Sequence, residues 1–153
     1  MLTTIIKDKE ISFTSAKLDR DVTLDLIYPQ DLDSSIPLLL LNDGQDYTAL
    51  DLDLFFENYR GKPFIYLGIH CNEDRLYEYG TSYQPDYAKR GNKATEHMQF
   101  VMAELIPWIQ RKFSWNGDKY FGGFSLGGLS ALDIALENPG EFKKVGVFSG
   151  SFW

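Results

Sequence analysis

The first part of the chain contains two neighbouring stretches in which apolar and polar residues alternate. Residues 10–18 read EISFTSAKL, residues 21–29 read DVTLDLIYP, and a short Asp-Arg turn lies between them. This alternation is typical of strands that bury one face and expose the other to water. We therefore predict a half-exposed antiparallel β-hairpin at the start of the chain.

Four later stretches are short and apolar but do not alternate. Such runs, bounded by turn residues, are typical of strands buried on both faces, and they predict the inner strands of a sheet. The four stretches are IPLLLLN (36–42), FIYLGIH (64–70), KYFGGFS (119–125) and KVGVFSG (144–150).

Three helical patterns lie between the apolar runs, at residues 47–59, 94–113 and 126–138. Pro107 lacks a backbone N–H and should kink or divide the second helix, whereas the third should end at Asn138, before a proline. Because strands and helices take turns along the chain, we predict an α/β domain with a mostly parallel sheet flanked by helices.

Length and composition indicate one domain over residues 1–153, because 44% hydrophobic residues suffice for one core. The formal net charge of -7 and the pI near 4.7 oppose binding to nucleic acid or to an anionic membrane surface. The chain shows no signal-peptide pattern and no apolar stretch of membrane-spanning length. We therefore expect a cytoplasmic location and neither nucleic-acid nor membrane partners.

A serine stands where the third buried run meets the third helix. Residues 123–127 read Gly-Phe-Ser-Leu-Gly, the G-x-S-x-G pattern of a nucleophile elbow, in the strand-to-helix context that this pattern requires. In an elbow, the glycines leave room for a strained turn that presents the hydroxyl of Ser125 to a substrate. The alternative is that Ser125 only caps the helix. The context favours a nucleophile.

Two backbone amides are expected to form an oxyanion hole beside this serine. The Leu126 N–H begins the helix after the elbow, and the second donor should come from the loop NDGQDY at residues 42–47. Gly44 can adopt a positive φ, which makes the Gln45 N–H the expected second donor. Alternatively, Asp-Gly is an ordinary turn pair.

Several segments, in this order, resemble the enterochelin-esterase and esterase D-like group of α/β-hydrolases: LLLLNDGQDY, IHCNEDRLYEYG, ELIPWIQRKF and GGFSLGGLSALDIALENPGEFKKVGVFSGSFW. The resemblance implies an α/β-hydrolase-type fold and a serine esterase that acts on a small-molecule ester through an acyl-enzyme, without metal or cofactor. By position it makes Ser125 the nucleophile, with oxyanion amides from Leu126 and Gln45. It also implies that Asp43 shapes the loop and that Arg75 is a structural or substrate-facing cation.

The chain differs from this family in the position of its histidines, one of which should act as the catalytic base. The family order is serine, acid, histidine, yet no histidine follows Ser125, and His70 and His97 both precede it. We therefore expect that the chain corresponds to the N-terminal part of a larger hydrolase, without its C-terminal strands, acid and histidine. His70, at a strand end, is a candidate base or substrate contact, although a loop hydrogen bond is the commoner role. The candidate substrate-site residues are Asp43, Gly44, His70 and Arg75.

Three further expectations concern substrate, assembly and alternative functions. The tyrosine-rich residues 77–91 either line a substrate pocket or form a solvated loop. A sheet that ends at residues 144–150 should leave an open edge and favour a homo-oligomer. The same residues also fit a noncatalytic binding module, or an acyltransferase that passes the acyl group to an alcohol instead of water.

Overall fold

The computed structural model describes residues 4–82 and 89–152, and in this part of the chain it contains one six-stranded sheet. The strands are β1 (Ile5–Ser15), β2 (Arg20–Pro29), β3 (Leu38–Asn42), β4 (Ile65–Ile69), β5 (Lys119–Phe124) and β6 (Lys144–Phe148). They are arranged in the order β1-β2-β4-β3-β5-β6. β2 runs antiparallel to both β1 and β4, whereas β3, β4, β5 and β6 are mutually parallel. This confirms the predicted hairpin followed by a mostly parallel sheet.

Helices connect the parallel strands and cover the sheet. They are α1 (Leu52–Asn58), α2 (Arg75–Glu78), α3 (Ala94–Gln99), α4 (Ile106–Phe113) and α5 (Leu126–Glu137). A 3₁₀ turn at Gly44–Tyr47 follows β3, and a π-helical segment at Phe100–Leu105 separates α3 from α4. Pro107 lies in the first turn of α4. Since it cannot donate a backbone hydrogen bond, the preceding chain takes the wider π geometry, and the helical pattern at residues 94–113 is divided, as the proline predicts.

The two strands of the hairpin are not equally buried, although the alternation of their residues predicts that they would be. β1 alternates between exposed and partly buried residues, as expected. Leu26 and Ile27 are adjacent in β2, yet both are almost fully buried. β2 is not an edge strand, because it pairs with β4 as well as with β1. The prediction of a half-exposed hairpin is therefore right for β1 and wrong for β2.

Two hydrophobic clusters hold the helices against the sheet. The larger packs β2, β3 and β4 against α4 and α5 and the π-helical segment, and burying each large apolar side chain there is worth roughly 1.5–3 kcal/mol. The smaller lies beneath α1 and includes Tyr47, Phe56 and Tyr66. The fully buried β4 lies within the sheet.

The prediction of two buried faces fails for β6. Lys144 and Phe148 are exposed, and the three residues between them are only partly buried. The reason is its position at the edge of the sheet, where among the described residues it pairs with β5 alone. The ring of Phe148 stacks on that of Phe124 with centroids 4.9 Å apart, and both side chains face solvent.

The topology places two loops at one end of the sheet. β3 and β5 are parallel neighbours, so the chain leaving Asn42 and the chain leaving Phe124 emerge at the same edge. Carboxyl ends of parallel strands are where ligands bind in open α/β sheets. Within the described residues, no helix has the length and apolar character needed to cross a bilayer.

Candidate active site

Ser125 is the single residue between β5 and α5, and its backbone is strained. Its φ of 53° and ψ of -121° fall outside the regions that residues with a Cβ normally occupy. Its N–H donates to the carbonyl of Phe148 at 2.8 Å, and its own carbonyl accepts from Gly128 and Leu129. The exposed side chain makes no capping hydrogen bond to α5. Helix capping therefore does not explain this serine.

The glycines around Ser125 are required by the close approach of β5 and α5. A Cβ on Gly123 would lie 2.4 Å from the carbonyl carbon and oxygen of Gly127, and one on Gly128 would lie 2.7 Å from the carbonyl oxygen of Gly123. Real Cβ atoms do not approach backbone atoms so closely, so larger residues would force the turn open. These are the collisions that the G-x-S-x-G motif predicts.

The left-handed residue in the loop after β3 is Asp43, not Gly44 as the sequence predicts. Asp43 has φ 60° and ψ 45°, and Gly44 is not among the glycines with positive φ. Gly44 is instead required by space, because a Cβ there would lie 2.7 Å from the carbonyl carbon of Gly68 and 2.9 Å from Cδ2 of His70. Asp tolerates the left-handed region better than most residues, since its short side chain bonds locally.

The loop after β3 packs directly against the first turn of α5. A Cβ on Gly127 would lie 2.8 Å from Oδ2 of Asp43 and 3.3 Å from Cβ of Asn42. Among the described residues, neither the Gln45 N–H nor the Leu126 N–H donates to a turn or cap carbonyl. The structure thus brings the two segments of the predicted oxyanion hole together, with both amides unoccupied by such bonds.

Asp43 and Arg75 form a bidentate ion pair beside this loop. Nε of Arg75 lies 2.7 Å from Oδ1 of Asp43, and Nη2 lies 2.8 Å from Oδ2. Burial opposes ionisation of Asp43, but the bonds from Arg75 and from the thiol of Cys71 outweigh it and hold the pKa of the carboxyl below its usual value. Burial and this carboxylate raise the pKa of Cys71 to about 12. The thiol is therefore protonated at neutral pH.

Gln45 connects the loop to the chain after β4. Its Nε2 donates to Oδ1 of Asp43 at 3.1 Å, and its Oε1 accepts from the Cys71 N–H at 3.0 Å. The side chain of Arg75 keeps about a third of its surface exposed, but both ends of its guanidinium fork are engaged by Asp43. These contacts give Arg75 a structural position in this state of the molecule.

The tyrosines predicted to line a pocket are split between two environments. Tyr79 is 1% exposed, and its hydroxyl accepts the Asp43 N–H at 3.1 Å, so Tyr79 supports the loop. Tyr77 is exposed. The remaining tyrosines of the 77–91 segment, Tyr83 and Tyr87, lie outside the described residues.

His70 faces a carboxylate on β2. Its Nε2 lies 2.9 Å from Oδ2 of Asp25, whose other oxygen accepts the Glu10 N–H at 2.9 Å. Burial raises the pKa of Asp25, but the bond to His70 is among the effects that bring it below its usual value. His70 therefore lies beside the loop, near Gly44, with its Nε2 engaged by Asp25 rather than by Ser125.

His97 is buried behind the elbow in an arrangement that sequence reasoning missed. Nδ2 of Asn42 donates to the Gly127 carbonyl at 2.9 Å, so its Oδ1 faces Nε2 of His97 at 3.3 Å. Nε2 must therefore carry the proton, which leaves Nδ1 as a lone pair with no partner in the part of the chain that the structure describes. Burial lowers the pKa of His97 to about 4, so the ring is neutral. Asn42 ends an apolar run, which is the only sequence signal for this tether.

A second serine touches the hydroxyl of Ser125. Oγ of Ser151 lies 2.9 Å from Oγ of Ser125, and the Ser151 N–H donates to the Ser125 carbonyl at 3.3 Å. Ser151 is 4% exposed. The sequence shows Ser-Gly-Ser just after an apolar strand, but pattern reasoning gives it no role.

Comparison with known proteins gives one curated relative and a set of solved structures. The chain is 28% identical over 129 residues to "Uncharacterized protein YbbA" of Bacillus subtilis (strain 168), which covers 76% of this chain and 50% of that protein. The enterobactin esterase FES from Shigella flexneri superimposes with a TM-score of 0.77 at 22% identity, over 99% of this chain and 39% of that one. The chain thus spans about half the length of the Bacillus subtilis protein and 39% of the length of the enterobactin esterase.

Two further structures have the same fold. The BES protein from Bacillus cereus superimposes with a TM-score of 0.74 at 22% identity, over 100% of this chain and 63% of that one. The siderophore hydrolase EstB from Aspergillus nidulans superimposes with a TM-score of 0.74 at 15% identity, over 96% of this chain and 57% of that one. The chain therefore has an α/β-hydrolase-type fold. The family described as "Putative esterase" matches residues 15–153, and the chain belongs to this family.

Proposed function

We propose that the complete protein is a serine carboxylic-ester hydrolase in which Ser125 is the nucleophile. The observation that carries the proposal is the strained, exposed Ser125 at the strand-to-helix turn, next to a loop whose Gln45 amide is free of turn bonds. Strained backbone at a strand end costs of the order of 1–3 kcal/mol and is characteristic of functional positions. Family membership supports the same reaction class.

In the proposed reaction, the Ser125 hydroxyl loses its proton to a general base while Oγ forms a bond to the acyl carbon. The carbonyl π pair moves onto oxygen, where the Leu126 and Gln45 amides stabilise the negative charge. Collapse of this intermediate expels the alcohol, which recovers the proton, and leaves an acyl-enzyme. Water then repeats the sequence and releases the carboxylic acid. An acyltransferase would differ only in the acceptor of this second step.

The described residues suggest no base for Ser125. Nε2 of His70 is engaged by Asp25, and His97 is buried against Asn42. The resemblance to the esterase family implies a histidine later in the fold than β6, which is where we place the base of the complete protein. Accordingly, we propose weak or no turnover for residues 1–153 alone.

The substrate class follows from the fold neighbours only in outline. Proteins with this fold include an enterobactin esterase studied in the presence of enterobactin and a siderophore hydrolase. We propose a small-molecule carboxylic ester as substrate, with ester-linked siderophores as the first compounds to assay. Specificity in such folds resides in loops around the site rather than in the shared sheet.

A fluorophosphonate probe tests the proposal directly. The complete gene product should be labelled at Ser125, as located by peptide mass spectrometry, and Ser125→Ala should abolish labelling. Heat-denatured protein gives the background, because unspecific labelling does not require an assembled site. A folded complete product that takes up no label at Ser125 would instead support a noncatalytic binding module.

A further inference from the structure

We propose that Ser151 is a second catalytic hydroxyl, which donates a hydrogen bond to Oγ of Ser125 as that oxygen gains negative charge. The inference rests on the proposed nucleophilic role of Ser125. The hydroxyl of Ser151 would act on Oγ of Ser125, whereas the two backbone amides act on the carbonyl oxygen of the substrate. Its basis is the 2.9 Å separation between the two Oγ atoms. A hydroxyl at this distance touches the reacting atom itself.

The segment that carries Ser151 is fixed to the backbone of Ser125 at two points. The Ser125 N–H donates to the Phe148 carbonyl at 2.8 Å, and the Ser151 N–H donates to the Ser125 carbonyl at 3.3 Å. Between them, Ser149 adopts a left-handed φ of 49°, which turns the chain back towards the elbow. Two backbone bonds therefore position the Ser151 side chain against Ser125.

The direction of the hydrogen bond follows from the reaction. When a base removes the Ser125 proton, Oγ keeps only lone pairs and can act solely as an acceptor. Ser151 is buried, and the structure shows Ser125 as the side-chain partner of its hydroxyl. Its proton is therefore available to Oγ of Ser125. Hydrogen bonds to a charged oxygen are roughly twice as strong as those between neutral groups.

This arrangement predicts that the Ser151 hydroxyl promotes ionisation of the side chain at position 125, whether that side chain carries a hydroxyl or a thiol. Replacement of Ser125 by cysteine converts that ionisation into a measurable thiol titration that needs no esterase activity. Rates of alkylation by iodoacetamide are followed against pH, and the modified site is located by peptide mapping. Cys71 does not interfere, because its alkylation maps to a separate peptide.

We expect the thiol pKa at position 125 to be about one unit higher in Ser125→Cys/Ser151→Ala than in Ser125→Cys, a tenfold loss of thiolate at neutral pH. Ser151→Thr, which keeps a hydroxyl, should restore most of the difference. Ser149→Gly, which suits the left-handed backbone, is the matched control and should leave the titration unchanged. If Ser151→Ala unfolds the chain, Ser151→Cys replaces it, because a thiol nearly fills the same space but is a much weaker hydrogen-bond donor.

An unchanged pKa would overturn the proposal, and a lower pKa would show that Ser151 accepts the proton of position 125 instead of donating to it. In the complete protein, Ser151→Ala should slow fluorophosphonate labelling of Ser125 by about tenfold or more. If wild-type protein takes no label while the thiol titration behaves as expected, the esterase proposal fails and the hydrogen bond stands. If wild-type and Ser151→Ala proteins label equally, the role of Ser151 fails alone.

Discussion

Arg75 holds the carboxylate of Asp43 with two hydrogen bonds, of 2.7 and 2.8 Å. Asp43 is the left-handed residue of the loop after β3, and its side chain is 4% exposed. The loop conformation and the buried charge thus depend on the same partner, 32 positions along the chain.

Replacing Arg75 by methionine should therefore destabilise the fold. The Asp43 carboxylate would stay buried without its cation, and since Arg75 is partly exposed we expect a loss of about 2–3 kcal/mol of unfolding free energy at pH 7. Urea unfolding followed by tryptophan fluorescence measures the loss. Arg111→Met, on the exposed side of α4, is the control and should change stability by less than about 0.5 kcal/mol.

The Arg75→Met effect should also depend on pH with a defined sign. The folded-state pKa of Asp43 is lowered, so the stability it contributes is present above the unfolded pKa of 3.8 and is lost as pH falls through the folded value. In Arg75→Met, burial without the cation raises the folded-state pKa of Asp43, so the variant recovers stability when this carboxyl is protonated. The difference in unfolding free energy between wild type and Arg75→Met should therefore begin to narrow above pH 4 and continue to narrow as the pH falls further. A gap that stayed constant from pH 7 to pH 3 would show that the charge of Asp43 is not its cause.

The tight contact at the elbow predicts very different outcomes for two adjacent glycines. A Cβ on Gly123 would meet the Gly127 backbone at 2.4 Å, whereas a Cβ on Gly122 would meet its nearest atom at an ordinary 3.4 Å. Gly123→Ala should cost about 2–3 kcal/mol of unfolding free energy and should abolish labelling of Ser125, because the turn must open. Gly122→Ala should fold normally and keep its label. Equal behaviour of the two variants would argue against a tight elbow.

The sequence predicts the strands and the elbow because their signals are local. Alternation, apolar runs and glycines at fixed distances from Ser125 are all read within a few residues. The left-handed Asp43 could not be predicted in this way, since the usual rule gives positive φ to the neighbouring glycine. Asp43 is instead paired with Arg75, which lies 32 positions along the chain in the segment after β4, and a local rule cannot detect such a partner.

Long-range pairs also explain the elements that pattern reasoning missed. α2, at Arg75–Glu78, is too short to show a helical period. It is held by Arg20, which is 58 positions away in the sequence. The Arg20 guanidinium donates two hydrogen bonds of 2.7 Å to the carboxylate of Glu78, which is almost fully buried. The same holds for Ser151, whose proposed role depends on a contact with Ser125, 26 positions away, that no spacing rule encodes.

His97 gives a prediction about stability in mild acid. Burial lowers its folded-state pKa to about 4, whereas its pKa in the unfolded chain is 6.5. Between these two pH values, His97 is protonated in the unfolded chain but neutral in the folded chain. Stability from this group is therefore complete above pH 6.5 and falls by up to about 3 kcal/mol as pH drops to 4. His97→Gln can still donate to Asn42 but does not titrate, so its unfolding free energy should fall less than that of wild type between pH 6.5 and 4. Parallel curves would contradict a buried neutral ring.

The exposed edge of β6 has a sequence that is compatible with self-pairing. If two copies of β6 pair antiparallel about Gly146, Lys144 of one copy lies opposite Phe148 of the other on the same face. A lysine ammonium over an aromatic ring is a favourable contact, worth about 0.5–1 kcal/mol at an exposed site. Val145 and Val147 would face each other across the pair on the opposite face. The unpaired N–H and C=O groups of an edge strand can form such contacts with a second chain.

We therefore expect residues 1–153 to self-associate through β6. Analytical ultracentrifugation over a range of concentrations should detect dimers, and Val147→Pro should shift the equilibrium towards monomer, because proline removes a backbone donor from the edge. Leu136→Ser removes an apolar side chain that is 68% exposed on α5, and it is the control for nonspecific hydrophobic association. Association reduced equally by both variants would indicate nonspecific apolar contact, and a monomer at the highest concentration would contradict the pairing of β6.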